Sequence, residues 1–220
     1  MSTAESDTPE GPVETRPRWF TRTSENHSQW YIERFRTMAA EGADLAGEAR
    51  LVDAMVPPGS RLLDAGCGPG RVGGALHARG HRVIGVDVDP ELIEAAGVDH
   101  PGPEWLTADL STLDLRSEDP GFEPFELAVM AGNVLVFVAP GTERLVLERV
   151  AAHVRPGGRL VVGFATDREY RLDAFDADVA AAGLTIQHRF ATWDLAPFTD
   201  DATFVVTVLS VPVPPATIAG

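Results

Sequence analysis

Short apolar runs closed by a carboxylate recur along this chain, separated by stretches whose apolar residues return at helical spacing. Arg61 to Ala65 reads as a buried parallel strand with Asp64 near its end. His81 to Asp87 repeats the pattern, Glu104 to Ala108 followed by Asp109 is a shorter third run, and Pro124 to Ala131 is a fourth. Pro156-Gly157-Gly158 turns into a fifth, Arg159 to Phe164. Between them, Val72, Ala75 and Leu76 predict a helix up to Arg79 that Gly80 stops. Asp89-Pro90 supplies an N-cap and a first-turn proline for a helix carrying Leu92, Ile93 and Ala96. Thr142 to Val154 and Asp173 to Ala182 are two more helices, the latter capped by Gly183. Leu184 to Asp194 and Thr203 to Val211 read as strands, and the connection Leu195 to Ala202 is too short for a crossover helix. Those two strands are therefore expected to pair antiparallel.

Seven strands alternating with helices until the last pair predict an α/β fold. Its form is a doubly wound, mostly parallel seven-stranded sheet with a C-terminal antiparallel strand. Two helices precede the sheet. The first, Asn26 to Met38, gathers Tyr31, Phe35 and Met38 on a face read as packing. Trp30, Arg34 and Thr37 lie on the adjacent face, where Trp30 and Arg34 are candidates to cover a site. The second runs from Asp44, a plausible N-cap, through Val52 and Val56 to Pro57-Pro58-Gly59. The expected organisation is a disordered tail over 1–17, cap helices over 18–58, a ligand-binding domain over 59–211 and a Pro-rich tail over 212–220.

Composition narrows the partners. Net charge is −15, a poor match for phosphate backbones or anionic membranes. All 18 basic residues are arginine. The single cysteine, Cys67, excludes an internal disulfide and a cysteine-based zinc cluster. No metal-ligand cluster stands out, and no signal-peptide core or membrane-length apolar run occurs, so a cytoplasmic protein is expected. Oligomeric state is not legible.

In doubly wound sheets ligands bind outside the carboxyl ends of the strands, where the strand order reverses. Asp64, the glycines 66, 68 and 70, Asp87, Asp109 and the segment Ala131-Gly132-Asn133 all fall at those ends. A glycine turn lets a ligand approach the backbone, and the helix after it points unpaired N–H groups at the turn. Asp87 stands one helix and one strand beyond the turn, and a carboxylate there suits the paired hydroxyls of a ribose. Cys67, between glycines and with no histidine placed near it, reads as a packing residue rather than a nucleophile.

These residues resemble the class I S-adenosylmethionine-dependent methyltransferases, a Rossmann-like family, over roughly Ser60 to Val211. The segment Leu62-Leu63-Asp64-Ala65-Gly66-Cys67-Gly68-Pro69-Gly70 is similar to the first family motif and Val86-Asp87 to the second. Thr107-Ala108-Asp109-Leu110 looks like the third, and Arg155 to Leu160 resembles the turn before the fifth strand. The resemblance implies that Gly66, Gly68 and Gly70 let the backbone approach the methionine part of the cofactor, with Cys67 and Arg71 also among the cofactor-binding residues. It implies that Asp64 meets the amine, Asp87 the ribose and Asp109 the adenine amino group, with Val88 and Leu110 flanking the ring. Ala131, Gly132 and Asn133 would lie on the path to the methyl acceptor. An apolar segment, Gly132 to Val138, stands where nucleic-acid amino-methylating members carry an Asn-Pro-Pro-Tyr-like run. With Trp30, Arg34, Phe137 and Phe198 it is expected to line a pocket for a small, partly hydrophobic substrate.

Displacement at a sulfonium methyl needs alignment and dryness more than side-chain chemistry, so no catalytic residue is assigned. His27 and Asp173 are the candidate bases if the acceptor must lose a proton; His77, His81, His100, His153 and His188 fall away from the strand ends. Two other readings stay open. One is a non-catalytic protein binding S-adenosylmethionine or S-adenosylhomocysteine. The other is an NAD-dependent oxidoreductase, against which the third glycine stands at 70 while position 71 is Arg.

Overall fold

The structure is a computed structural model that describes residues 16–118 and 121–213. The tails expected over 1–17 and 212–220 fall largely outside those residues. In chain order the elements are α1 (Arg18–Thr21), α2 (His27–Ala40), α3 (Gly47–Ala54), β1 (Arg61–Ala65), α4 (Arg71–His77), β2 (Arg82–Asp87), α5 (Pro90–Asp99) and β3 (Glu104–Thr107). They continue with α6 (Leu115–Glu118), β4 (Phe125–Met130), α7 (Val134–Phe137), α8 (Glu143–His153), β5 (Val154–Ala165), α9 (Leu172–Ala181), β6 (Thr185–Phe190) and β7 (Phe204–Ser210).

The strands form one seven-stranded sheet in the order β3-β2-β1-β4-β5-β7-β6. Pairs from β3 through β5 are parallel, and β7 runs antiparallel to both β5 and β6. Because side chains alternate along a strand, each central strand feeds both faces. Leu63, Ala128 and Leu160 join α8 and α9 in one core, while Leu62, Leu127 and Val161 join α3 and α4 in the other. Burial on both faces is why these strands read as continuous apolar runs. The order reverses at β1, whose neighbours are β2 and β4.

Three local expectations are corrected. Asp44 is not the N-cap of α3: the helix starts three residues later, after Ala46. Its carboxylate instead accepts the Ala46 N–H at 3.1 Å and grips Arg50 at 2.8 and 2.7 Å, closing a turn ahead of the helix. β5 begins at Val154, upstream of the Pro-Gly-Gly turn, with an irregularity before the ladder to β4 settles at Arg159. β6 ends at Phe190, where a turn carrying Leu195 at φ 68° folds Pro197 back against it.

Candidate cofactor and acceptor site

The glycine turn is stitched to the end of β2. The N–H groups of Gly66 and Cys67 both donate to the Val86 carbonyl, at 2.7 and 3.0 Å. The Gly68 N–H donates to Asp87 Oδ2 at 2.8 Å, and the Asp89 N–H donates to Asp87 Oδ1 at 3.0 Å. Asp64, 1% exposed, accepts the Gly73 N–H at 2.8 Å and so pins the first turn of α4. Burial drives the Asp64 pKa up to about 7, against the Gly73 bond and the Arg71 charge. Burial likewise raises Asp87 to about 6, against its bonds to Asp89 and Gly68. The Cys67 thiol is pushed up by burial and by the two carboxylates, which makes it a poor nucleophile.

The three glycines have different duties. Gly68, at φ 54°, faces open space, and a Cβ there would meet nothing nearer than the Tyr31 ring at 3.5 Å. A Cβ on Gly66 would strike Val134 at 2.5 Å, and one on Gly70 would strike Ala96 at 2.8 Å and Trp105 at 2.9 Å. Gly66 thus admits α7, and Gly70 admits the packing of α4 on α5 and Trp105.

Beside this turn lies a cavity of about 850 Å³, mouth included. Asp64, Gly66, Cys67, Gly68, Arg71, Asp87, Val88, Asp109, Leu110, Ala131, Gly132 and Phe137 all line it, so residues far apart in sequence meet there. Asp109 Oδ1 accepts the N–H and the hydroxyl of Ser111, both at 2.8 Å, leaving Oδ2 without a protein partner among the described residues. Arg71 bonds the Leu45 carbonyl at 2.6 Å and grips Glu48 at 2.7 and 2.6 Å, under the Phe35 ring. It rivets α2 and α3 to the turn.

Gly70, Asn133, Trp30 and Arg34 are not among the lining residues. The Asn133 side chain turns away, accepting the Ala165 N–H at 2.7 Å while its backbone takes φ 68°. Trp30 is 54% exposed, with the Arg34 guanidinium over its ring and His27 stacked on it. Phe198 packs on the core beneath α8 and α9, and Asp173 lies exposed at the start of α9. The site falls to the other face of α2: Tyr31 and Phe35, read as packing, line the cavity, and Trp30 and Arg34 face solvent. Tyr31 packs as well, with Ile32 against Leu92 and Ala95 of α5, so the apolar face of α2 serves a small core and the cavity roof together.

Pro17 and Trp19, which sequence did not single out, also line the cavity, as do Val134 and Val138 of the apolar segment expected to line a pocket. Trp19 belongs to α1, a four-residue strap held on two sides by its first two side chains. Arg18 bonds the Val138 carbonyl at 3.3 Å and Glu143 at 2.8 Å, with side chains 12% and 10% exposed. On the other side the Trp19 indole N–H donates to Asp89 at 2.7 Å.

A glycine turn, a carboxylate at the end of each of the first two strands and a third just past β3 thus gather where the sheet order reverses at β1, the place where doubly wound sheets bind their ligands. The profile of a protein family described as "Methyltransferase domain" matches residues 62–158. The crystal structure of a TehB-like SAM-dependent methyltransferase from Corynebacterium glutamicum is 39% identical, with a TM-score of 0.79, over 86% of this chain and 100% of that one. Ubiquinone biosynthesis O-methyltransferase of Xylella fastidiosa (strain M23) is 29% identical over 66% of this chain, which spans 63% of that relative's length. SAM-bound CalS10, an amino pentose methyltransferase from Micromonospora echinaspora, shares the fold, with a TM-score of 0.61 at 19% identity over 80% of this chain and 95% of that one. The chain belongs to the class I S-adenosylmethionine-dependent methyltransferase family. No helix among the described residues is long and apolar enough to cross a membrane.

Proposed function

We propose that this protein transfers a methyl group from S-adenosylmethionine to a small, partly hydrophobic acceptor. The observation that carries the reading is the convergence of Asp64, Asp87 and Asp109 on one cavity whose roof is aromatic. The residues present suit the cofactor. Asp87 keeps acceptor capacity on both oxygens beyond its two amide bonds, enough for a ribose diol. Asp109 Oδ2 is available to an adenine amino group, with Val88 and Leu110 as apolar neighbours for the ring. Asp64 offers a carboxylate near the glycine turn for an ammonium, and the bare Gly68 gives room for close approach.

When bound, S-adenosylmethionine supplies an already electrophilic methyl group, so the protein's work is alignment and exclusion of water. Trp19, Tyr31 and Phe35 provide the dry roof, and Val134, Phe137 and Val138 the apolar wall on the acceptor side. Burial raises the Tyr31 pKa, so the phenol stays protonated near neutral pH and offers a hydrogen bond rather than a base. His27 stacks on Trp30 outside the lining, and Asp173 is remote, so neither serves as base in this reading. The buried free thiol of Cys67 suits a reducing cytoplasm.

Thermal shift tests the cofactor. S-adenosylhomocysteine is expected to raise Tm and NAD to leave it unchanged; the reverse result would make the protein an oxidoreductase. Incubation with methyl-labelled cofactor and a panel of small metabolites then tests the transfer. S-adenosylhomocysteine binding with no labelled product across the panel would favour a cofactor-binding protein without catalysis.

A further inference from the structure

Asp89 is 3% exposed and does not line the cavity, yet its groups reach four separate elements. Oδ1 accepts the Glu91 N–H at 2.9 Å, capping α5. Oδ2 accepts the Trp19 indole N–H at 2.7 Å and the Ser28 hydroxyl. Its own amide donates to Asp87 at 3.0 Å. Capping alone needs only the first of these. The second spans 70 positions of sequence and holds the strap. The third reaches the carboxylate on the cavity floor. Trp19 in turn sets its ring edge-on to Tyr31 at 5.5 Å and to Phe137 at 5.6 Å, both lining residues.

We propose that Asp89 is a positioning residue that latches the α1 strap over a filled cofactor site, so that occupancy of Asp87 and closure of Trp19 occur together. This rests on the reading that the adenosyl group lies against Asp87. The cap to α5 holds Oδ1 and thereby aims Oδ2 at the strap. The indole N–H is the sole polar atom of a ring wedged among His27, Tyr31 and Phe137, so losing its acceptor leaves a desolvated donor. The Arg18 end, held by Val138 and Glu143, does not depend on α5. Arg18 and Trp19 are consecutive, so the strap has two holds at its start, and only the one at Trp19 runs through Asp89; losing it frees the ring while the Arg18 hold stays in place.

Two substitutions in the full chain separate latch from scaffold. Asp89→Asn retains an oxygen for the Glu91 N–H but sets an amide donor against the indole. Trp19→Phe keeps a ring and removes the N–H. With S-adenosylhomocysteine as probe, tryptophan emission of the unmodified protein is expected to change on binding, and that change to vanish in both variants. The ligand is expected to leave each variant about 10-fold faster in stopped-flow displacement, and the double variant no faster than either single one. Should Asp89→Asn fail to fold, Asp89→Ser takes its place, since serine caps the helix but falls short of the indole. Unchanged dissociation in the single variants, or effects that multiply in the double, overturn the latch alone. Failure of the unmodified protein to bind the probe overturns both the latch and the reading beneath it.

Discussion

Asp64 and Asp87 are buried carboxylates whose pKa values rise from 3.8 to about 7 and about 6. In that range the folded protein holds protons that the unfolded chain has released, so their contribution to stability falls as pH rises. It is intact below about pH 4 and lost by about pH 7, the opposite of the usual salt-bridged carboxylate. Asp64→Asn is therefore expected to raise the Tm of the ligand-free protein at pH 8 and leave it nearly unchanged at pH 4, as read by scanning calorimetry. Asp87→Ala removes charge-assisted hydrogen bonds worth about 1.5–3 kcal/mol, which predicts a roughly 10- to 100-fold loss of S-adenosylhomocysteine affinity by titration calorimetry. It also strands the buried N–H groups of Gly68 and Asp89, so a fall in Tm is expected alongside the weaker binding. Unchanged affinity would remove Asp87 from the ribose role.

Among the elements, β2 and α4 meet around a tryptophan. The Trp105 ring lies against Gly85, Gly70 and Gly73, and its N–H donates to the His100 carbonyl at 3.0 Å. A Cβ on Gly85 would come within 2.2 Å of that ring. Gly85→Ala is expected to destabilise the fold by about 1–3 kcal/mol in urea titration, and Trp105→Leu in the same chain to recover part of the loss. Here the limits of the sequence are visible. Asp89-Pro90 announced the start of α5 because cap and proline act locally, and β1 and β2 were legible because burial on both faces leaves uninterrupted apolar runs. The glycines at 70 and 73 could not be assigned to Trp105, because that contact exists only after the sheet has formed. The second role of Tyr31, as cavity lining, and the exposure of Trp30 were hidden for a similar reason. Both are aromatic, and only the placement of α2 over the strand ends decides which face is enclosed. α1 is too short for any periodicity, and its fastenings lie at Asp89, Val138 and Glu143, which no local pattern connects.

For the molecule as a whole, charge and topology set the terms. A net charge of −15 opposes the phosphate backbone, so no binding of tRNA or duplex DNA is expected in gel-shift titrations at physiological salt. Tight binding there would overturn the small-molecule reading of the acceptor. The class of fold was legible from the alternation of strands and helices, and the antiparallel finish from the short connection read over Leu195 to Ala202. The strand order was not, since pairing partners are chosen by crossovers that leave no mark on the segments they join.

One consequence of that order concerns synthesis. Among the described residues β6 pairs with β7 alone, and β7, which follows it in sequence, sits between it and β5, so the later strand is not the outermost. A nascent chain complete to Phe190 has nowhere to set β6. Five strands then stand with the β5 edge bare, those amides and carbonyls between Arg159 and Ala165 that face away from β4 open to any extended peptide nearby. At about 5–20 residues per second the ribosome closes that window within a few seconds. A premature stop between Phe190 and Phe204 leaves it open for good, and its product belongs with chaperones and inclusion bodies instead of persisting as a shorter folded chain.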